Sequence, residues 1–214
     1  ARPVGGRMAS AESGVFTALL QHVQQVDDGS GGIRTEHFLN TCREVLPVVD
    51  KLGTGFTVVR IDVSGNIDRL QKRFESSGER RYDNIYAILE DEVAKNEQTD
   101  NSSCTKGLLW LKRAMQFLVE LLGILHRDKD ASVSTAANDA YTKVLQPYHG
   151  WITSGVFWAA LKLVPSRDGL FEKLGGESDK LHEDMGTFIS QFEGVLSKIH
   201  SHMDSQGLNF PDKV

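Results

Sequence analysis

The segment 106–125 constrains this chain more than any other. At 100° per residue, Lys112, Arg113, Gln116 and Glu120 fall in one narrow stripe of a helix. One flank of that stripe holds Leu108, Leu111, Met115, Leu118 and Leu122. The other holds Trp110, Ala114, Phe117 and Leu121. A helix this apolar is a central one, covered from more than one side.

Its neighbours read as further helices. Phe16, Leu19, Leu20 and Val23 follow i, i+3, i+4, i+7, and the run DDGSGG over 27–32 ends their helix. Thr35 is the expected N-cap of a second helix, with Phe38, Cys42, Val45, Leu46 and Val49 on one side. Gly53 and Gly55 bracket a turn. A third helix is expected over 56–74 and a fourth over 82–94, with the polar stretch 95–103 as a loop. Past the central helix, a sixth starts near Ser134, meets Pro147, and continues or restarts through Trp151 to Leu163. Pro165 and Ser166 end it and cap a short seventh helix, which Gly175-Gly176 closes. Ser178 caps a long last helix to about Ser205. There is no alternating strand pattern of useful length and no internal repeat. The expected class is all-α, in one compact domain over 8–214. Residues 1–7 precede Met8, hold no apolar stretch of a secretory signal, and are expected to be a leader or an expression remnant.

Composition removes several functions. In 214 residues, Lys+Arg number 24 and Asp+Glu 29, a net charge of -5, which argues against general nucleic-acid binding. No apolar run approaches the roughly 20 residues a bilayer-spanning helix needs. Cys42 and Cys104 are too few for a disulfide framework or a zinc site and read as free thiols in a reducing compartment. There is no HExxH, GxSxG, Walker loop or GxGxxG, and Cys104 lacks the cues of a nucleophile. His200 and His202 are two apart and diverge on a helix. No catalytic residue, metal or cofactor is therefore expected.

Three constellations remain. Asp62, Asn66, Arg69 and Arg73 follow i, i+4, i+7, i+11 and share one face of the third helix. That face is either the solvated side of an ordinary amphipathic helix or a hydrogen-bonding row for a polar ligand. Gly65 within it costs about 1 kcal/mol relative to Ala, a hint of close approach by a ligand or a neighbouring helix. Trp110 stands at the border of polar stripe and apolar face, with Arg113 as its i+3 neighbour; an indole there is either core or a platform for a sugar ring. His149, in Tyr148-His149-Gly150-Trp151 after Pro147, is expected on unusual backbone, either as a structural histidine or as a site residue.

Asp62-Val63-Ser64-Gly65-Asn66-Ile67, Leu109-Trp110-Leu111-Lys112-Arg113 and Tyr148-His149-Gly150-Trp151, in this order, resemble three segments of the glycolipid transfer protein family. The similarity runs from about Val15 to the C-terminus. The resemblance implies a two-layer helical sandwich with a lipid pocket between the layers, and carriage of sphingolipids between membranes without chemical change. It implies that Asp62 accepts from the ceramide amide N–H and His149 donates to the acyl carbonyl. Asn66 and Arg69 would hydrogen-bond the sugar, Trp110 would stack on it, and Trp151 would sit at the membrane-facing rim. Phe56, Val59, Phe117, Leu145 and Phe157 are the expected lining of the acyl-chain slot.

Two departures stand out. Arg69 occupies the place of a lysine in animal glycolipid-binding members and is similar to plant-type members. The animal C-terminal tyrosine is matched at best by Phe210. The branch that transfers ceramide-1-phosphate carries lysine at the Asn66 position and arginine at the Trp110 position, and this chain has neither. The expectation is thus a monomeric cytoplasmic carrier of glucosylceramide-like lipids, meeting membranes transiently. Ceramide-1-phosphate transfer, a lipid sensor or adaptor, an enzyme built on Asp62 and His149, and a plain helical scaffold are the alternatives.

Overall fold

The structure, a computed structural model, describes residues 14–27, 29–76, 80–211 and 213, and of Ile152 the backbone alone. The expectation for residues 1–7 lies outside the described residues. Among those described, the chain forms nine α-helices and no strand. They are α1 Val15–Val23, α2 Thr35–Lys51, α3 Thr57–Glu75, α4 Ile85–Lys95, α5 Cys104–Arg127, α6 Val133–Val144, α7 Trp151–Leu161, α8 Arg167–Lys173 and α9 Asp179–Ser205. Two isolated bridges, Asp27 with Ile33 and Arg34 with Asn84, tie the loops around the start of α2.

The helices form a two-layer sandwich with α5 at its centre. α1 packs on α2 and α9, α2 on α3, α3 on α5, and α5 on α9, which closes a circuit; α4 and α6 add to the flanks of α5. The two apolar flanks of α5 are the cause, since each needs its own cover. No helix among the described residues is long and apolar enough to cross a membrane.

Local signals account for most boundaries. Ser166 and Ser178 accept from the backbone N–H of Gly169 and Leu181, capping α8 and α9 as their positions predict. Three expectations are corrected. Thr35 is the first helical residue, not a cap, and its hydroxyl donates to the Tyr82 carbonyl at 2.5 Å. The fourth helix starts later than 82, because Asn84 supplies the cap by accepting from Tyr86 N–H at 3.1 Å. Gly65 marks no close approach by a neighbouring helix: a Cβ there would meet no protein atom within 4 Å. The close approach lies at Gly55, where a Cβ would stand 2.7 Å from the Ala160 carbonyl oxygen. Gly55 thus lets the 3-10 turn Thr54–Phe56 press against the backbone of α7.

The polar stripe of α5 is not left to water. Lys112 and Arg113 are 1% and 2% exposed. The segment after α9 covers them: Arg113 Nη2 donates to the Phe210 carbonyl at 2.5 Å, and Lys112 Nζ donates to Asn209 Oδ1 at 3.3 Å and lies 3.2 Å from His200 Nδ1. Burial and the adjacent Arg113 pull the Lys112 pKa down to about 8.

Candidate functional site

Where α3, α5 and α7 meet, they enclose a mostly apolar cavity of about 320 Å³. Val59, Phe117, Leu145 and Phe157 line it, together with Ala114 and Ala160, whose small side chains leave the space open. Phe56 is placed behind this wall instead. It is 1% exposed, stacked on Phe117 at 6.3 Å between centroids and edge-on to Phe157 at 6.1 Å. A ring cluster of this kind stiffens the wall beyond what its buried area contributes.

Three polar or amphipathic groups reach the same cavity from three elements: Asp62 from α3, Trp110 from α5, and His149 from the segment joining α6 to α7. Pro147 ends α6 in a 3-10 turn, Gln146–Tyr148, and α7 restarts at Trp151. His149 lies between them on ordinary extended backbone, φ -103° and ψ 134°, so the unusual conformation expected for it is not found. Its ring stacks on Trp110 with centroids 6.0 Å apart, and its Nδ1 lies 3.3 Å from the Tyr141 hydroxyl.

The electrostatics of the pair are opposed. The protein around the Asp62 carboxyl raises its pKa, against the pull of Asn66 and Arg69. Burial lowers the His149 pKa, and the nearby Arg113 lowers it further. The imidazole is therefore neutral near pH 7, able to donate from one nitrogen and accept at the other. Arg113 itself lies between two rings, 4.9 Å over Trp110 and 3.5 Å over Tyr148, which fixes the platform from behind.

The remaining site candidates divide. Asn66 is buried one turn beyond Asp62 and donates from Nδ2 to the Asp62 carbonyl at 3.0 Å. Arg69 does not reach the cavity lining. Its Nη1 donates to the carbonyls of Asn101 and Ser103 at 3.2 and 3.0 Å, which ties α3 to the loop ahead of α5. Trp151 is 84% exposed at the start of α7, two residues from the cavity-lining His149 and Thr153. Two groups at the site carry no sequence signal, Tyr141 and Ser154, whose hydroxyls are 2.9 Å apart behind His149. They lie 13 residues apart on separate helices, so no periodicity joins them.

Such an arrangement offers one acceptor, one donor and a flat ring on the lining of an apolar slot. It suits an amphipathic ligand with a buried amide and a ring-shaped polar head. Known proteins similar to this chain include solved structures with the same architecture. The GLTP-fold of FAPP2, described as selecting simple glycosphingolipids, superimposes with a TM-score of 0.85 at 28% identity, over 94% of this chain and all of that one. Mouse ceramide-1-phosphate transfer protein shares the fold, with a TM-score of 0.83 at 22% identity, over 92% of this chain and 98% of that one. Glycolipid transfer protein 1 of Arabidopsis thaliana is 38% identical over 198 residues, 92% of this chain and 97% of the relative. The sequence pattern of the glycolipid transfer protein family matches residues 33–176, and the chain belongs to that family of lipid transfer proteins.

Proposed function

We propose that this chain carries glycosphingolipids with small neutral heads, of the glucosylceramide type, between membranes. The observation that supports this most is the meeting of Asp62, His149 and Trp110 on the lining of one apolar cavity. A ceramide amide has one donor and one acceptor, and leaving either unpaired when buried costs roughly 1–3 kcal/mol. Asp62 takes the N–H and His149 gives to the carbonyl. The acyl chain enters the slot of Val59, Phe117, Leu145 and Phe157, gaining roughly 0.8 kcal/mol per buried CH₂.

Headgroup choice follows from what stands beyond the amide. Trp110 offers a flat face to a sugar ring, and Asn66 is neutral and can both give and accept. A phosphate would need converging cations. The nearest ones are committed: Arg69 to the loop carbonyls and Arg113 to the Phe210 carbonyl. Arg69 serves the headgroup end by holding the loop that carries Ser103, the cap of α5.

Membrane contact falls to the exposed apolar side chains around the mouth. Trp151 is joined by Val156 on α7 and by Leu163 just past its end, and from α3 by Val58 and by Ile61, which is 65% exposed beside Asp62. An indole at such a rim partitions into the bilayer interface. With no lipid anchor invoked, contact is weak and reversible, as carriage requires.

The test is mass spectrometry of lipid co-purified with the protein, followed by a vesicle transfer panel of glucosyl-, galactosyl- and phospho-ceramides. Glucosylceramide should move fastest. Transfer of ceramide-1-phosphate at an equal rate would overturn the headgroup assignment, and no transfer of any of the three would overturn the carrier reading.

A further inference from the structure

We propose that a second cavity, on a different face of α5 from the lipid slot, binds a small soluble phosphomonoester with a hydroxylated body. Its phosphate would lie against Lys112 and Arg113, and its hydroxyls against Gln116 and Ser197. The proposal is independent of the glycosphingolipid reading, since the two cavities share no lining residue.

The cavity lies between α5, α9 and the turn Gln146–Tyr148, and holds about 410 Å³, within the range of small-molecule sites. Lys112, Gln116 and Glu120 line it from α5 at i, i+4, i+8. Glu193, Ser197 and His200 line it from α9 at i, i+4, i+7. The two helices run antiparallel, because Lys112 meets His200 while His126 meets His182. Charge therefore changes along the cavity, from the cations at Lys112 to the acids at Glu120 and Glu193, about 12 Å farther along α5. The acidic end is compensated. Glu120 Oε2 accepts from Lys143 Nζ at 2.7 Å, Arg127 stands 3.8 Å from its other oxygen, and Glu193 is exposed.

The cationic end is built differently. Lys112 is buried, and among the described residues its hydrogen-bond partners are neutral: His200 Nδ1 at 3.2 Å and Asn209 Oδ1 at 3.3 Å. Asp204 acts on it as an acid, yet burial and Arg113 outweigh that pull and lower its pKa to about 8. A buried ammonium faced by neutral groups is costly, and an oxyanion beside it would supply charge-assisted bonds. Arg113 adds a fixed charge to the same lining, held between the Trp110 and Tyr148 rings. Two adjacent cations suit a dianionic phosphate better than a monovalent carboxylate. The acids at the far end disfavour a second anionic group there. Gln116 and Ser197, between the ends, can give and accept toward hydroxyls.

The test is isothermal titration calorimetry at pH 7 and constant ionic strength with glycerol phosphate, inorganic phosphate and acetate. Glycerol phosphate should bind saturably and most tightly, and acetate most weakly. Lys112→Met should weaken glycerol phosphate about tenfold, and Gln116→Leu about threefold while leaving inorganic phosphate unchanged. No saturable binding of glycerol phosphate, or parental affinity in Lys112→Met, would overturn the site. Equal affinity for the two phosphates would overturn the hydroxylated body. A readout free of any variant is ¹⁵N spectroscopy of the histidine-labelled parental protein: His200 should shift as glycerol phosphate is added, and an unmoved His200 at saturating ligand would place the anion elsewhere and overturn the proposal.

Discussion

At the N-terminus of α5, the 6%-exposed Glu92 accepts from Cys104 N–H at 2.6 Å and, through its other oxygen, from the backbone N–H and the hydroxyl of Thr105 at 2.8 and 2.7 Å. Farther along the same helix, opposite Trp110 and Ala114, Asp62 also presents a carboxyl to α5, but across a cavity. Both are acids set against one apolar helix. Glu92 is satisfied by its own chain and holds orphan N–H groups at a helix start, where negative charge is favoured. Asp62 lies in surroundings that raise its pKa and keeps a face open to the slot. A polar group that the fold completes contributes stability; one that it leaves open is a candidate for binding a ligand.

The largest effect should come from breaking the completed group. Glu92→Ala removes three charge-assisted bonds and leaves two helix N–H groups unpaired in the interior, at a cost of about 3 kcal/mol. For a domain of this size Tm should fall by roughly 6–12 °C, while transfer per folded molecule stays parental. Thermal unfolding by circular dichroism, with transfer normalised to the folded fraction, checks both halves. An unchanged Tm would show that the α5 terminus does not depend on this carboxylate.

The open groups should behave in the opposite way. Asp62→Val and His149→Leu should each slow glucosylceramide transfer by roughly tenfold to a hundredfold, with Tm near parental. Asp62→Asn sharpens the comparison through the sign of its pKa shift. A carboxyl whose folded pKa is raised binds its proton more tightly in the fold. Its ionised form therefore costs stability as pH rises from the unfolded value through the folded one, and the whole cost is present above the folded value. Removing the charge should leave Tm at or above parental at pH 7, with the gain vanishing below pH 4. A variant that loses both stability and transfer would mean that Asp62 is structural like Glu92.

How far sequence reached follows the same division. Helix existence was legible because apolar periodicity is a local property, and so were the Ser166 and Ser178 caps. Thr35 misled because a hydroxyl at a helix start can serve a distant carbonyl, that of Tyr82, as readily as its own helix. The meeting of Asp62, Trp110 and His149 could not be read from spacing, since each sits on a different element; only the resemblance of three motifs in order suggested it. Arg69 shared the headgroup face by its i+7 spacing, yet its guanidinium turns to the loop around Asn101 and Ser103, whose path no periodicity encodes. The burial of Lys112 and Arg113 was illegible for a similar reason: a charged stripe looks solvated until the segment at Asn209 and Phe210 folds across it.

A smaller effect tests the wall of the open region. At Gly55 an added Cβ would lie 2.7 and 2.8 Å from the oxygen and Cα of Ala160, both backbone atoms that cannot turn aside. Gly55→Ala must move the 3-10 turn or α7, an overpacking that costs about 1–3 kcal/mol. Because α7 carries Thr153, Val156 and Phe157 of the cavity lining, transfer should change along with Tm. Parental values of both would show that the approach of turn and helix is not needed for the slot.

The smallest expected effect concerns the other glycine of the region, and its sign is the point. Gly65 lies inside α3, one residue from Asn66, with a right-handed backbone and open space where a Cβ would stand. Nothing in the fold uses its lack of a side chain. Alanine there should stabilise the helix by about 1 kcal/mol, raising Tm by roughly 2–4 °C. The same substitution ten residues earlier clashes with backbone, so the two glycines should shift Tm in opposite directions although both flank the candidate site. Transfer is the second readout. A Gly65→Ala variant that gains stability and keeps its transfer rate places that surface outside the ligand's reach. If Tm rises while transfer drops, a ligand or membrane surface approaches α3 where the protein leaves space, and the open region extends past Asp62 to the outer face of the helix.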